Sequence, residues 1–232
     1  MSIYDIIDAT WPAARFDRIG PWVIRDGQGG GQRVSAATAT GPVNADDIAT
    51  AEAAMRALGQ EPLFMVQDGQ EDLDAALAQA GYGLHDPVAI YSAPVSEIAT
   101  QRPPPVSAFD IWPPLHIIEE LWAEGKIGPE RMAVMQRVAG PKTAVLGRVR
   151  DRASGVTFAA IHEKTAMLHA LEVTPEQRRQ GTAVNILRHA AFWAQENGAE
   201  TLVALVLQSN EPACTLCTSL GMRVVGHYHY RK

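Results

Sequence analysis

Hydrophobic positions along this chain recur in two rhythms. Met167–Val173 and Thr201–Leu207 are nearly unbroken apolar runs with polar flanks, the pattern of buried strands. Between them Val184, Leu187, Ala191 and Ala194 recur at helical spacing. That spacing predicts a helix from about Gly181 to Gly198, where glycine takes the left-handed angles that end a helix. A short helix over Glu211–Leu220, stopped by Gly221, and a strand over Met222–Tyr230 follow. Upstream, Leu115–Trp122 and Pro129–Val138 read as helices, and Ala144–Arg150 and Val156–Ile161 as strands. The tail His227–Arg231 alternates and reads as a closing strand rather than a His-x-His metal site.

The N-terminal half repeats this rhythm. A helix over Ala45–Leu58 stops at Gly59, and a strand follows over Leu63–Val66. A helix over Glu71–Ala80 stops at Gly81, and a strand follows over Val88–Tyr91. Trp22–Arg25 and Arg33–Ala36 flank a glycine cluster and read as a hairpin. Between the halves lies a proline-rich stretch with Pro103-Pro104-Pro105 and Pro113-Pro114, which cannot continue a helix or an inner strand. The expected division is therefore 1–95, a linker at 96–114, and 115–232.

Composition narrows the class. Of 232 residues, 47% are hydrophobic and 20% charged, as in a folded globular protein. No apolar run is long enough to span a membrane, and no basic-then-apolar leader opens the chain. Two cysteines, Cys214 and Cys217, cannot build a disulfide framework, so a cytoplasmic location is expected. They form a Cys-x-x-Cys spacing inside a helix, which suits small packed side chains better than redox or zinc chemistry, and no metal is expected. The net charge of −6 argues against nucleic acid and admits a cationic substrate such as an amine.

One loop carries chemistry. Arg178-Arg179-Gln180-Gly181-Thr182-Ala183 fits Arg/Gln-x-x-Gly-x-Gly/Ala and joins the Met167–Val173 strand to the following helix. The free N–H groups at a helix start, together with the helix dipole, attract anions. The loop therefore suits a pyrophosphate. It is neither the three-glycine dinucleotide loop nor the Gly-Lys-Ser/Thr loop.

This order of elements, with the loop between third strand and third helix, resembles the GNAT superfamily of acyl-CoA-dependent N-acetyltransferases. Leu171–Ala183 resembles the family's central strand and phosphate loop. Asn210-Glu211-Pro212-Ala213 with Leu216, then Gly221-Met222, resembles its Asn-x-x-Ala-x-x-Leu-Tyr and Gly-Phe motif. The N-terminal half resembles a degenerate copy, because Thr40–Asn44 lacks the phosphate loop, so one active site per chain is expected. The fold implied is α/β, a mixed sheet in two GNAT-like halves, each a mostly antiparallel sheet flanked by helices.

The resemblance implies acetyl transfer from acetyl-CoA to an amine of a small molecule or peptide by direct attack. The coenzyme's pyrophosphate would rest on the loop, on Arg178, Arg179, Gln180, Gly181, Thr182, Ala183 and Val184. Its pantetheine arm would pair with the strand at Leu171 and Val173. Asn210 would cap the last helix and could touch the ligand. Glu172 and His169 are the candidate bases; three apart on a regular strand, they should face opposite sides. The family's acidic Tyr is replaced by Cys217, so the thiolate's proton could come from Cys217, from water or from another residue such as Tyr228. The alternative is an acyl-CoA-binding module without turnover.

Overall fold

The computed structural model describes residues 2–232. Helix α1 (Ile3–Thr10) opens the chain, and Ser2 and Asp5 cap its first turn reciprocally. Strands β1 (Arg15–Ile19) and β2 (Trp22–Asp26) form an antiparallel hairpin that β3 (Thr38–Ala39) joins. Then come α2 (Ala45–Ala57), β4 (Phe64–Gln67), α3 (Glu71–Gln79), β5 (Leu84–Pro94) and the single turn α4 (Val95–Ile98). The rest is β6 (Ala108–Ile111), α5 (His116–Glu124), α6 (Pro129–Arg137), β7 (Lys142–Val149), β8 (Arg152–His162), β9 (Thr165–Val173), α7 (Thr182–Glu196), β10 (Thr201–Leu207), α8 (Glu211–Ser219) and β11 (Arg223–Arg231).

The mixed α/β architecture is as expected, but the halves do not keep separate sheets. Eight strands form one sheet in the order β4-β11-β5-β10-β9-β8-β7-β6. Thus β5 of the N-terminal half pairs along all of β10, and the last strand β11 inserts between β4 and β5. Helix α7 covers one face of the C-terminal part, with Ile186, Leu187, Ala190 and Ala194 packed on Val145, Ala159 and Leu168. Helices α5 and α6 cover the other face over Ala144, Val156 and Phe158. Helix α1 lies on that second face, where Ile7 packs among Met65, Ile90, Met167 and Val203 and so bridges both halves. No helix among the described residues is long and apolar enough to cross a membrane.

Three expectations change. Arg33–Ala36 is not a strand: Gln32–Val34 makes a short 3-10 turn, and β2 pairs with β1 instead. The glycine cluster before it lets the backbone approach its surroundings, since a Cβ at Gly30 would strike Val134 of α6. Second, the proline-rich stretch 96–114 carries β6, which pairs with β7 and adds the sheet's edge; prolines bracket this strand without entering it, and an edge strand tolerates such flanks. Third, β8 begins at Arg152 rather than Val156, so the β7–β8 turn is only Arg150 and Asp151, both at positive φ, as a two-residue hairpin turn requires.

Candidate functional site

Strands β9 and β10 run parallel only from Thr165–Leu168 against Thr201–Ala204. Beyond that they part, and β9 departs from regular geometry at the same place. Glu172 pairs with Val156 and His169 with Phe158, so Ala170 and Leu171 together face one residue, Thr157. This is a β-bulge, with Ala170 at φ 52°. Side chains hold it: Thr157 Oγ1 donates to the His169 carbonyl at 2.9 Å, and Trp122 Nε1 donates to the Ala170 carbonyl at 3.0 Å.

The bulge corrects the expectation for His169 and Glu172. The extra residue resets the alternation, so both side chains lie on the face covered by α1 and α5. Glu172 packs so closely on Gly125, which follows α5, that a Cβ there would collide with it. His169 stacks on Trp11, with ring centroids 4.9 Å apart.

His169 is buried, and its two nitrogens are both engaged. Arg33 Nη1 lies 3.0 Å from Nδ1 and can only donate. The ring proton therefore sits on Nε2 and points at Thr10 Oγ1, 3.1 Å away, while the Thr10 hydroxyl donates to the Ile6 carbonyl at 2.7 Å. Burial, then the Arg33 charge, holds the imidazole's pKa well below its usual value. Glu172 is half-buried; burial raises its carboxyl, and the charges of Arg178 and Arg131 oppose the rise.

Two clefts flank this strand. The smaller, about 90 Å³, lies between Leu121–Gly125, Glu172–Pro175 and Arg178. The larger, about 370 Å³, opens where β9 and β10 part, with Ala170, Leu205 and Leu207 on its walls. The N-terminal half closes it with Trp11, Gly30–Arg33 and Val88, and β11 adds Tyr228 and Tyr230. The Tyr228 hydroxyl is buried without a partner.

The phosphate-type loop leads straight into α7. Arg178 Nε bonds back to the Val173 carbonyl at 3.2 Å, and Gln180 Nε2 to the Glu176 carbonyl at 3.0 Å. Gly181 is the N-cap at φ 84°, and no side chain caps the helix. The first intrahelical bond is from Asn185 N to Gly181 O, so the N–H groups of Thr182, Ala183 and Val184 stay open. Thr182 is buried and anchors the helix start through Ser154 at 3.2 Å.

Asn210 caps α8, accepting from Ala213 N at 3.2 Å. Cys217 is buried in the α7-side core and lines neither cleft, and its thiol is pushed up to about 12 by burial and then by Cys214. Both cysteines are free. Of the tail histidines, His229 is bonded to Asp74 at 2.6 Å, and no metal-binding cluster occurs among the described residues. Sequence reasoning missed Arg33, Trp11 and α1. The Ser2-x-x-Asp5 capping box before Ile6 and Ile7 was the available signal for the helix. Nothing local marked Arg33.

Residues 112–222 match the model of the Acetyltransferase (GNAT) family. The chain is 25% identical over 238 residues to the uncharacterized N-acetyltransferase YobR of Bacillus subtilis (strain 168), covering 96% of this chain and 94% of that protein. Its fold is similar to a GCN5-related N-acetyltransferase from Kribbella flavida, with TM-score 0.72, 16% identity, and coverage of 99% and 93%. It is also similar to a tandem GNAT protein from the clavulanic acid biosynthesis pathway, with TM-score 0.62, 11% identity, and coverage of 100% and 87%.

Proposed function

We propose, from the match of residues 112–222 to the Acetyltransferase (GNAT) family model, that the chain moves an acetyl group from acetyl-CoA to the amine of a small molecule. The observation that carries this reading is the coincidence of three features on one strand. The β9 bulge, the divergence of β9 from β10 and the uncapped start of α7 follow one another within Ala170–Val184. In this reading the pyrophosphate rests on the open N–H groups of Thr182–Val184 beside Arg178 and Arg179. The pantetheine arm lies along Leu171–Val173, in the gap that β10 leaves.

The amine nitrogen attacks the thioester carbonyl carbon. A C–N bond forms, the C–S bond breaks, and sulfur leaves with the electron pair as thiolate. An N–H group in the bulge, Ala170 or Leu171, lies outside the strand register and would face the developing oxyanion. For the proton taken from the amine, Glu172 is favoured over His169, because the one imidazole lone pair already accepts from Arg33. For the proton given to the thiolate, Tyr228 is favoured over Cys217, because Tyr228 lines the large cleft with an unpartnered hydroxyl and Cys217 lines neither cleft. The cleft's size favours a small acceptor over a peptide chain.

Calorimetric titration with acetyl-CoA tests the coenzyme site. The wild type is expected to bind and Gly181→Val to lose binding. A wild type that binds no acetyl-CoA contradicts the reading.

A further inference from the structure

Arg33 poses a problem that the acetyl-transfer chemistry leaves unanswered. A buried guanidinium normally has its donors filled. This chain does so elsewhere. Arg25, buried where Arg33 is half-buried, grips Asp8 with two bonds at 3.0 and 2.6 Å and adds the Ala36 carbonyl and Thr38 Oγ1, each at 2.9 Å. Arg231 grips Asp74 in the same forked way, both bonds at 2.7 Å.

Arg33 has no such partner. Its Nη1 is spent on neutral His169, and its Nε is sealed from solvent and unbonded. Burial opposes its charge, and the groups beside it are the Tyr228 and Tyr230 hydroxyls, close enough to act on it, with no carboxylate among them. It stands in the wall of the 370 Å³ cleft, where Tyr228 OH is also buried and unbonded. Two residues with unbonded polar atoms therefore stand in the wall of one cavity.

The charge of the cavity points the same way. The chain as a whole carries −6. The cleft nevertheless presents Arg33 and Arg131 against a single acid, Asp86, whose carboxylate lies 3.3 Å from His85 Nε2. The chain's overall charge suggested a cationic acceptor; the cleft has the opposite local sign.

We propose that the acceptor carries a carboxylate as well as its amine, and that Arg33 is the residue that holds this carboxylate. A guanidinium edge is planar and matches two carboxylate oxygens side by side, and on Arg33 the Nη1 is engaged while Nε is not. The Tyr228 hydroxyl can donate to the same group before it is needed at sulfur. The class is an amino acid or another small amino-carboxylate. Arg33 comes from the N-terminal half, so the half that lacks a phosphate loop selects the acceptor for the half that has one. This rests on the acetyl-transfer reading only for the amine; the carboxylate site stands on the cavity itself.

The test uses the full chain in two arms. In the first, the L-amino acids, their amides, the matching decarboxylated amines and aminoalkylphosphonates are compared as acceptors with acetyl-CoA. In the second, N-acetyl-amino acids and their amides are titrated calorimetrically without coenzyme, which reads the cavity even if acetyl transfer fails. At least one free carboxylate is expected to work, with its amide and amine weaker by roughly ten- to hundredfold, the effect of losing a charge-assisted hydrogen bond. Arg33→Met is expected to remove that preference while acetyl-CoA affinity is unchanged, and Arg33→Lys to keep part of it. Preference for the phosphonate, equal use of amides and acids, or no carboxylate-dependent binding in the second arm overturns the proposal. Absence of acetyl-CoA binding, with carboxylate binding retained, instead overturns the transfer reading and leaves the carboxylate site supported.

Discussion

His169 and Glu172 show how one inserted residue redirects chemistry. Their spacing of three implies opposite faces on a regular strand. Ala170 enters the strand as a bulge, and both side chains turn to one face, where they meet different fates. His169 is locked between Arg33 and Thr10 and kept neutral, whereas Glu172 stays at a cleft wall with a raised carboxyl. A pH prediction follows for His169, which faces Arg33 as its charged neighbour. Its folded-state pKa is depressed, so the native state binds fewer protons than the unfolded chain. The stability this contributes is complete above the unfolded imidazole's pKa of about 6.5 and falls as pH drops below it, by up to about 1.4 kcal/mol per pH unit. Thermal unfolding between pH 7 and 5 should show that slope in the wild type and a flatter one in His169→Gln. Equal slopes would contradict the neutral, doubly bonded ring.

Most elements were readable from periodicity and glycine stops. Strand β10 ends where its apolar run ends, and α7 begins one residue after Gly181. What escaped was fixed by distant partners. Arg33–Ala36 has β-prone residues, yet the backbone curls because α6 crowds the glycine cluster before it. The bulge left no local mark, since it depends on Thr157 and Trp122 binding two successive carbonyls. At the loop, Gly181 has open space around it but sits at φ 84°, so the constraint is backbone conformation rather than crowding. Gly181→Val should therefore cost stability by about 1–2 kcal/mol, the penalty for a side chain at left-handed angles, besides closing the anion site. Denaturant unfolding of that variant checks the first effect. An unchanged midpoint would show that the turn relaxes freely.

Across the whole molecule, the exchange of strands is the feature no periodicity could show. Duplication of helix, strand, helix, strand is visible in the sequence, but which copy of a strand pairs with which sheet is not. Because β11 lies between β4 and β5, and β5 pairs along β10, the halves are stitched together. A chain cut in the exposed turn at Pro104–Val106 and expressed as two pieces is expected to co-purify as one complex; independent elution of two folded halves would contradict the exchange. The same stitching brings Trp11 and Arg33 of the first half to the cleft beside the β9 bulge of the second.

The central claim is that the clefts on the two sides of the β9 bulge, one with Glu172 and one with Arg33, together perform acetyl transfer, and release of free coenzyme thiol is its most direct measure. With pure protein, acetyl-CoA and the amino-acid panel, the account predicts thiol release that depends on the amine and falls by about a hundredfold or more in Glu172→Gln, the scale of losing a general base. Tight acetyl-CoA binding with no amine-dependent thiol release from any member of the panel would contradict it.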